Sequence, residues 1–158
     1  NLVRTSNTPG CTRQINVFQC KLGDGLAVHM VDLPGYGYAR LSKAEKSTWG
    51  AMIEGYLRSR VTLRAVVLLA DVRRGLEADD LELLEFLREV RGPEAATPSV
   101  PSVLQMVAAT KLDKLALNKQ KPALAAFKAA SGVTPVGFSA VSGEGRPELW
   151  KRIRGAVV

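Results

Sequence analysis

The sequence predicts an α/β fold with three layers, in which helices cover a mainly parallel sheet that carries one antiparallel hairpin strand. Two runs, Leu63–Ala70 and Val103–Ala109, are apolar apart from Arg64 and Gln105 and are typical of strands buried on both faces. Strands that alternate with helical segments form parallel sheets through crossover connections. Four polar residues stand at the carboxyl ends of predicted strands, where open α/β sheets bind their ligands. These residues are Asp32, Asp71, Asp113 and Ser139.

A β-hairpin is predicted near the start of the chain. Residues 14–22 alternate imperfectly between apolar and polar side chains, and Gly23-Asp24-Gly25 gives a tight turn. The apolar run Leu26–Val31 then returns antiparallel and ends in Asp32. Such a run is typical of a buried strand that delivers a carboxylate to a phosphate site.

Apolar spacing and end signals predict the helices. The first begins at Ser42, an N-cap with Glu45 at the capping-box position. Its apolar stripe is predicted to enter the core and consists of Trp49, Ile53, Tyr56 and Leu57. Residues 78–90 form an amphipathic helix, and residues 147–157 form a closing helix with Pro147 in its first turn. Residues 114–131 are helical in composition, although Pro122 must start, kink or break that segment.

Two further segments complete the chain. Residues 92–102 carry three prolines without periodicity, which indicates a surface loop, and residues 134–138 form a short strand.

Composition is that of a globular domain: 158 residues, 46% hydrophobic and 23% charged. The length suits one domain. No apolar stretch is long enough to span a membrane, and two cysteines are too few for a disulfide framework, so we expect a cytoplasmic protein with reduced thiols. Nothing in the sequence indicates a permanent dimer, and we expect a monomer. The net charge of +7 favours polyanionic partners such as RNA.

The stretch Asp32-Leu33-Pro34-Gly35 has two interpretations. It is a good β-turn sequence. After an apolar strand it also suits a phosphate site, where Asp32 holds Mg²⁺ through water and the Gly35 N–H meets a terminal phosphate. Upstream, the hydroxyl of Thr12 lies in a loop with Pro and Gly and either ligates Mg²⁺ or bonds its own backbone.

Thr110-Lys111-Leu112-Asp113 is the most informative motif. A carboxylate at Asp113 can accept from both the ring N–H and the amino group of guanine, a pair of donors that adenine lacks. Lys111 can lay its aliphatic stem over the base. The downstream run Phe138-Ser139-Ala140 can offer the backbone N–H groups of Ser139 and Ala140 to the guanine carbonyl oxygen.

Together these motifs resemble the EngB/YihA family of P-loop GTPases, which act in assembly of the large (50S) ribosomal subunit. The resemblance rests on Arg4–Gly10, Asp32–Ala39, Thr110–Lys114 and Phe138–Ala140, and it covers nearly the whole chain. It implies a Ras-like G domain that binds GTP and GDP with Mg²⁺. It also implies a pre-50S particle and its rRNA as partner.

Carried over by position, the resemblance makes Gly10, Cys11, Thr12, Arg13 and Gln14 the first switch, with Thr12 as a magnesium ligand. Asp32, Leu33, Pro34 and Gly35 would contact the γ-phosphate and the metal. Thr110, Lys111, Leu112 and Asp113 would read the base, supported by Phe138, Ser139 and Ala140.

The implied hydrolysis is slow. Tyr36 fills the place where Ras-like enzymes carry a catalytic glutamine, so turnover would depend on a partner or on a potassium ion. Arg4 and Arg13 are either charge stabilisers or solvated loop residues.

Residues 1–158 contain no Gly-x-x-x-x-Gly-Lys-Ser/Thr run. We therefore expect residues 1–158 to form a single G domain that lacks its first strand, P-loop and first helix. We also expect these residues to bind GTP poorly. One alternative is a P-loop-less pseudo-GTPase that serves as an RNA- or protein-binding module. Another is a GTPase relative with a different client, such as a tRNA-modifying or iron-transport protein.

Basic clusters are the candidate rRNA contacts, although charge runs are more often solvated faces. They are Arg58, Arg60 and Arg64; Arg73 with Arg74; and Arg146 with Lys151, Arg152 and Arg154.

Overall fold

The computed structural model describes residues 15–22, 25–33 and 43–158, with the side chains of its first helix described from Gly50 onward. The chain divides after Ser59 into two compact units. The strands are β1 (Asn16–Lys21), β2 (Ala27–Asp32), β3 (Ala65–Asp71), β4 (Leu104–Thr110) and β5 (Val136–Gly137). The helices are α1 (Lys43–Ser59), α2 (Ala78–Arg91), α3 (Leu117–Ser131) and α4 (Arg146–Val157), with 3₁₀ turns at Pro93–Ala95 and Leu112–Lys114.

The predicted hairpin is confirmed in the first unit. Strands β1 and β2 pair antiparallel, with Asn16 opposite Asp32, and the N–H of Leu22 donates to the carbonyl of Leu26 at 2.8 Å. The prediction that the second strand is buried is wrong, because only Val28 and Val31 of β2 are even half-buried. Among the described strands β2 pairs with β1 alone.

Helix α1 buries the described part of its predicted stripe. Ile53 and Leu57 are almost fully buried, and Tyr56 is half-buried. Ser42 and the side chains of Glu45 and Trp49 lie outside the described residues, so the predicted cap stays a prediction.

The second unit contains a three-stranded parallel sheet in the order β3-β4-β5. The central strand β4 is buried on both faces over residues 106–109, as its apolar run predicts. Strand β3 differs from the prediction: Leu68 and Ala70 are buried, but Leu69 between them is 64% exposed. Successive side chains point to opposite faces, and β3 lies at the edge of these three strands.

The helices of the second unit bury apolar residues, among them Leu84 and Leu87 of α2 and Phe127 of α3. Helix α2 contacts α3, and α4 contacts β3. Helix α3 runs through Pro122, so this residue neither starts nor breaks the helix, and of the three predicted alternatives a kink is the one that stays a prediction.

Residues 92–102 form the predicted loop, but it is more ordered than its composition suggests. It holds the 3₁₀ turn at Pro93–Ala95 and an antiparallel bridge between Thr97 and Val100. Within the described ranges, none of the helices has the length and apolar character needed to cross a membrane.

Candidate functional site

The carboxyl ends of β3 and β4 are tied together at the start of the predicted base-reading motif. Asp71 and Thr110 are partners in the parallel register. The Thr110 hydroxyl donates to the carbonyl of Ala70 at 3.0 Å, and the Val72 N–H donates to the carbonyl of Thr110 at 3.0 Å. These bonds fix the point at which the chain leaves the sheet.

Lys111 turns the chain out of β4 in the left-handed conformation, with φ 59° and ψ 35°. It is the single non-glycine residue with positive φ in the described part of the chain. Such a conformation costs about 1 kcal/mol or more for a residue with a Cβ, and this strain is concentrated at functional positions. The buried Leu112 follows and donates its N–H to the carbonyl of Phe138 at 3.1 Å.

The side chains of Asp113 and Ser139 meet although 26 residues separate them. The Ser139 hydroxyl donates to Asp113 Oδ1 at 2.7 Å. The same oxygen of Ser139 accepts the N–H groups of Val141 and Ser142 at 3.2 and 3.1 Å. Because Ser139 is fully buried, this network fixes the orientation of the Asp113 carboxylate.

The two backbone N–H groups predicted to bind the guanine carbonyl oxygen, those of Ser139 and Ala140, differ in whether they are free. The Ser139 N–H donates to the carbonyl of Glu144 at 3.0 Å, so it is already used inside the loop. The exposed Ala140 has no acceptor for its N–H among the described residues. Of the two predicted donors, Ala140 alone is therefore available to a ligand.

A glycine closes this loop. Gly145 has φ +75°, and a Cβ there would stand 1.8 Å from the carbonyl oxygen of Gly137. The loop therefore packs against β5 at a distance that admits no side chain.

Electrostatics keep Asp113 ionised. The hydrogen bond from Ser139 lowers the pKa of Asp113, and the ammonium of Lys114, 3.5 Å from Oδ2, lowers it further. Each carboxylate oxygen has two lone pairs. One bond at Oδ1 and a long contact at Oδ2 leave acceptor capacity on both oxygens.

Asp71 belongs to the same edge, and sequence reasoning did not include it among the site residues. Its Oδ2 lies 3.1 Å from Lys111 Nζ and 2.6 Å from Arg73 Nη2. The hydrogen bond from Arg73 is the main cause that holds the pKa of Asp71 well below its usual range. The position of Asp71 at a strand end was a signal in the sequence, but its contact with Lys111 depends on strand register.

The structure brings together the second half of the predicted site, from Thr110 to Asp113 and from Phe138 to Ala140. In the first half it describes Leu33 and Asp32, the exposed last residue of β2. The remaining predicted residues lie outside the described ranges: Gly10, Cys11, Thr12, Arg13, Gln14, Pro34 and Gly35.

The donor chemistry of Asp32 fits the predicted magnesium role. Its carboxylate is a hard oxygen donor that is exposed at a strand end. Among the described residues no three acidic, His or Cys side chains cluster as a metal cage. Mg²⁺ does not require one, because it is usually held by one or two protein ligands together with waters and substrate phosphates.

Comparison with known proteins identifies the family. A family model described as 50S ribosome-binding GTPase matches residues 1–106. The chain is 40% identical over 159 aligned positions to the probable GTP-binding protein EngB of Trichlorobacter lovleyi, and the alignment covers 99% of this chain and 74% of that protein. The chain belongs to the EngB family of GTP-binding proteins. Membership implies guanine nucleotide binding.

Solved structures support the same fold. A probable GTP-binding protein EngB superposes with a TM-score of 0.66 at 19% identity, covering 89% of this chain and 81% of that one. Era, solved with MgGDPNP and a segment of 16S ribosomal RNA, gives a TM-score of 0.74 at 18% identity, covering 96% of this chain and 47% of Era. Both neighbours are P-loop GTPases, so the predicted G-domain fold is confirmed.

Proposed function

We propose that this EngB-family chain binds and hydrolyses GTP as a switch in assembly of the large ribosomal subunit. The observation that carries the proposal is the Asp113 carboxylate, which the buried Ser139 holds in one orientation at the carboxyl edge of the parallel sheet. Thr110, Lys111, Leu112 and Asp113, with Phe138, Ser139 and Ala140, form the proposed guanine site.

Guanine recognition follows from the donors and acceptors at this site. The oxygens of Asp113 accept the ring N–H and the amino group of guanine. The N–H of Ala140 donates to the carbonyl oxygen of the base, since no described residue uses it. Adenine would leave the charged carboxylate without its donors, and such a mismatch is rejected strongly.

The phosphate and metal half of the site is proposed from the family pattern. Thr12 would ligate Mg²⁺ directly and Asp32 would hold it through water, while the ion supplies charge stabilisation at the phosphates. The Gly10–Gln14 segment would form the first switch. The segment Asp32–Gly35 would contact the γ-phosphate.

Hydrolysis is proposed to be intrinsically slow. Tyr36 lacks the side-chain amide with which a glutamine at this place orients the attacking water. Activation would then come from a partner or from a potassium ion, with Arg4 and Arg13 as candidate stabilisers of transition-state charge.

A ribosomal partner agrees with the description of the matched family and with the net charge of +7. Several basic candidates have partners within the protein: Arg73 pairs with Asp71, Arg74 with Glu77, and Arg152 with Glu148. Arg146 and Lys151 are exposed on α4. These two are the preferred rRNA contacts.

A nucleotide titration tests the proposal. Ribose-labelled fluorescent GDP, GTP and ATP are titrated with Mg²⁺ onto the 158-residue chain and onto the chain extended by the codons that precede Asn1 in its gene. Guanine nucleotide binding that ATP does not share, and that Asp113→Ala removes, supports the proposal. Asp79→Ala, a matched aspartate substitution in the first turn of α2, should leave binding unchanged.

The second candidate function is a pseudo-GTPase that binds RNA or protein, with which the net charge of +7 also agrees. If neither form of the chain binds guanine nucleotides, the GTPase proposal fails. RNA binding is then the activity to measure.

A further inference from the structure

Three charged side chains from two strand ends converge beside the proposed guanine site. Arg73 donates to Asp71 twice through its side chain, from Nε to Oδ1 at 2.9 Å and from Nη2 to Oδ2 at 2.6 Å. Lys111 Nζ lies 3.1 Å from the same Oδ2. The Asp71 side chain is 12% exposed, whereas those of Lys111 and Arg73 are 57% and 49% exposed. A largely buried carboxylate is thus paired with a lysine side chain that is otherwise exposed to solvent.

The turn after β3 accounts for only part of this arrangement. Asp71 Oδ1 accepts the Arg73 N–H at 3.0 Å, and the Asp71 carbonyl accepts the N–H groups of Arg74 and Gly75 at 3.0 and 3.2 Å. These bonds close the turn without any contribution from Oδ2. The contact between Oδ2 and Lys111 is therefore additional to the requirements of the turn.

Strand register explains how the contact forms. Asp71 is paired with Thr110, and Lys111 is the next residue along the chain. The left-handed backbone of Lys111 is compatible with a side chain whose ammonium reaches back to β3. Arg73 holds the carboxylate with two parallel bonds, a geometry that fixes its plane.

We propose that Asp71, oriented by Arg73, is a positioning residue that holds the Lys111 stem where it covers the guanine base. This inference rests on the proposed function, because it assigns a role toward the base bound at Asp113. A free lysine side chain loses rotamer freedom when its stem is laid against a base. The ion pair with Asp71 restricts the stem before the base arrives, and such preorganisation raises affinity.

A double-mutant cycle tests whether Asp71 acts through Lys111. Asp71→Asn keeps an acceptor for the Arg73 N–H, so the turn is retained, but it removes the charge that holds the ammonium. Lys111→Met keeps an aliphatic stem and removes the ammonium. Affinity for ribose-labelled fluorescent GDP with Mg²⁺ is measured for both single variants and the double variant, in the form of the protein that binds GDP in the titration above.

Asp71→Asn should weaken GDP binding about tenfold in the wild-type background and have almost no further effect in Lys111→Met. The matched control Glu85→Gln removes a carboxylate that pairs with Arg88 on α2, and it should not change affinity. Equal losses in both backgrounds, or no loss in the wild-type background, would overturn the positioning role.

Two further measurements keep the outcomes distinct. If Asp71→Asn does not fold, judged by its thermal melt, Arg73→Gln replaces it in the cycle, because it releases the carboxylate while leaving Asp71 in place. GDP binding by the wild type, together with its loss in Asp113→Ala, supports the proposed function whatever the cycle shows. A wild type without GDP affinity overturns the proposed function and this inference together.

Discussion

At the scale of single residues, the hydroxyl of Ser139 supports its own loop and orients the carboxylate of the proposed guanine site. Its oxygen donates to Asp113 and accepts two backbone N–H groups, and the side chain is fully buried. Removing it would leave two loop donors without an acceptor and the carboxylate without its orienting bond. The loss of three hydrogen bonds made by one fully buried hydroxyl lowers stability.

Ser139→Ala is expected to weaken guanine nucleotide binding roughly tenfold and to lower the free energy of unfolding by about 1–3 kcal/mol. The measurements are a nucleotide titration and urea unfolding. Ser142→Ala is the matched control in the same loop, since Ser142 accepts only the Glu144 N–H through its exposed hydroxyl. Similar affinity losses in the two variants would contradict the role given to Ser139.

Asp71 gives a pH-dependent contribution with a defined sign. Its folded-state pKa is depressed below the usual 3.8, chiefly by the hydrogen bond from Arg73. The folded state therefore gains stability above pH 3.8, and this gain is lost as the pH falls from that value through the lower folded-state pKa.

Asp71→Asn should lower the free energy of unfolding by about 1 kcal/mol near neutral pH, because Arg73 is half exposed and solvent screens the pair. The difference from wild type should shrink as the pH falls below 3.8. Urea unfolding at a series of pH values measures it, with Glu82→Gln on the exposed face of α2 as control. A difference that stays constant down to the acid transition would refute the linkage.

At the scale of elements, the buried Arg91 joins three segments of the second unit. Arg91 is 1% exposed. Its terminal nitrogens donate to the carbonyl of Arg60 at 3.0 Å, to that of Leu63 at 3.4 Å and to that of Pro101 at 3.1 Å. Burial is the main cause that lowers the pKa of Arg91, with Arg64 adding to it. The last turn of α2 thereby fixes both the entry to β3 and the entry to β4.

Arg91→Met should lower the free energy of unfolding by roughly 3 kcal/mol, because the three carbonyls lose the donors of a fully buried side chain while the apolar volume is mostly kept. Chemical unfolding measures the change. Arg88→Met, one turn earlier on α2 and 45% exposed, is the matched control and should cost less. An Arg91 variant as stable as the control would show that the three carbonyls find other donors.

At the scale of the whole molecule, the positive net charge favours binding to a polyanion and makes that binding depend on salt. The net charge is +7, the excess of 22 Lys and Arg over 15 Asp and Glu, and three of the basic side chains, Arg73, Arg74 and Arg152, are held in ion pairs within the protein. Exposed basic residues outside these pairs include Arg146 and Lys151 on α4, and Lys119 and Lys121 on α3. Phosphate contacts by such residues release counterions.

Binding to large-subunit particles should weaken roughly a hundredfold between about 50 and 200 mM salt if four or so phosphates are contacted. Co-sedimentation over a salt series measures the slope. The pair Arg146→Gln and Lys151→Gln should reduce the slope, whereas the charge-matched pair Lys119→Gln and Lys121→Gln should not. Equal reductions by both pairs would contradict a contact surface on α4.

Local patterns predicted most of the described fold but misjudged two features. The β-hairpin, the parallel strands and all described helices follow apolar spacing and turn residues, as predicted. The burial of β2 and the exposure of Leu69 did not follow, because each depends on what neighbouring elements cover. Propensity is a weak guide wherever tertiary context decides.

The sequence by itself determined the order of the elements, the residue types at the strand ends and the family. Tertiary structure alone decided which of those residues touch. The bond between Ser139 and Asp113, the use of the Ser139 N–H within its own loop, and the contact of Asp71 with Lys111 all depend on strand register and loop packing. The physical reason is range: periodicity and turn chemistry act over a few residues, whereas these contacts join positions that only the folded sheet brings together.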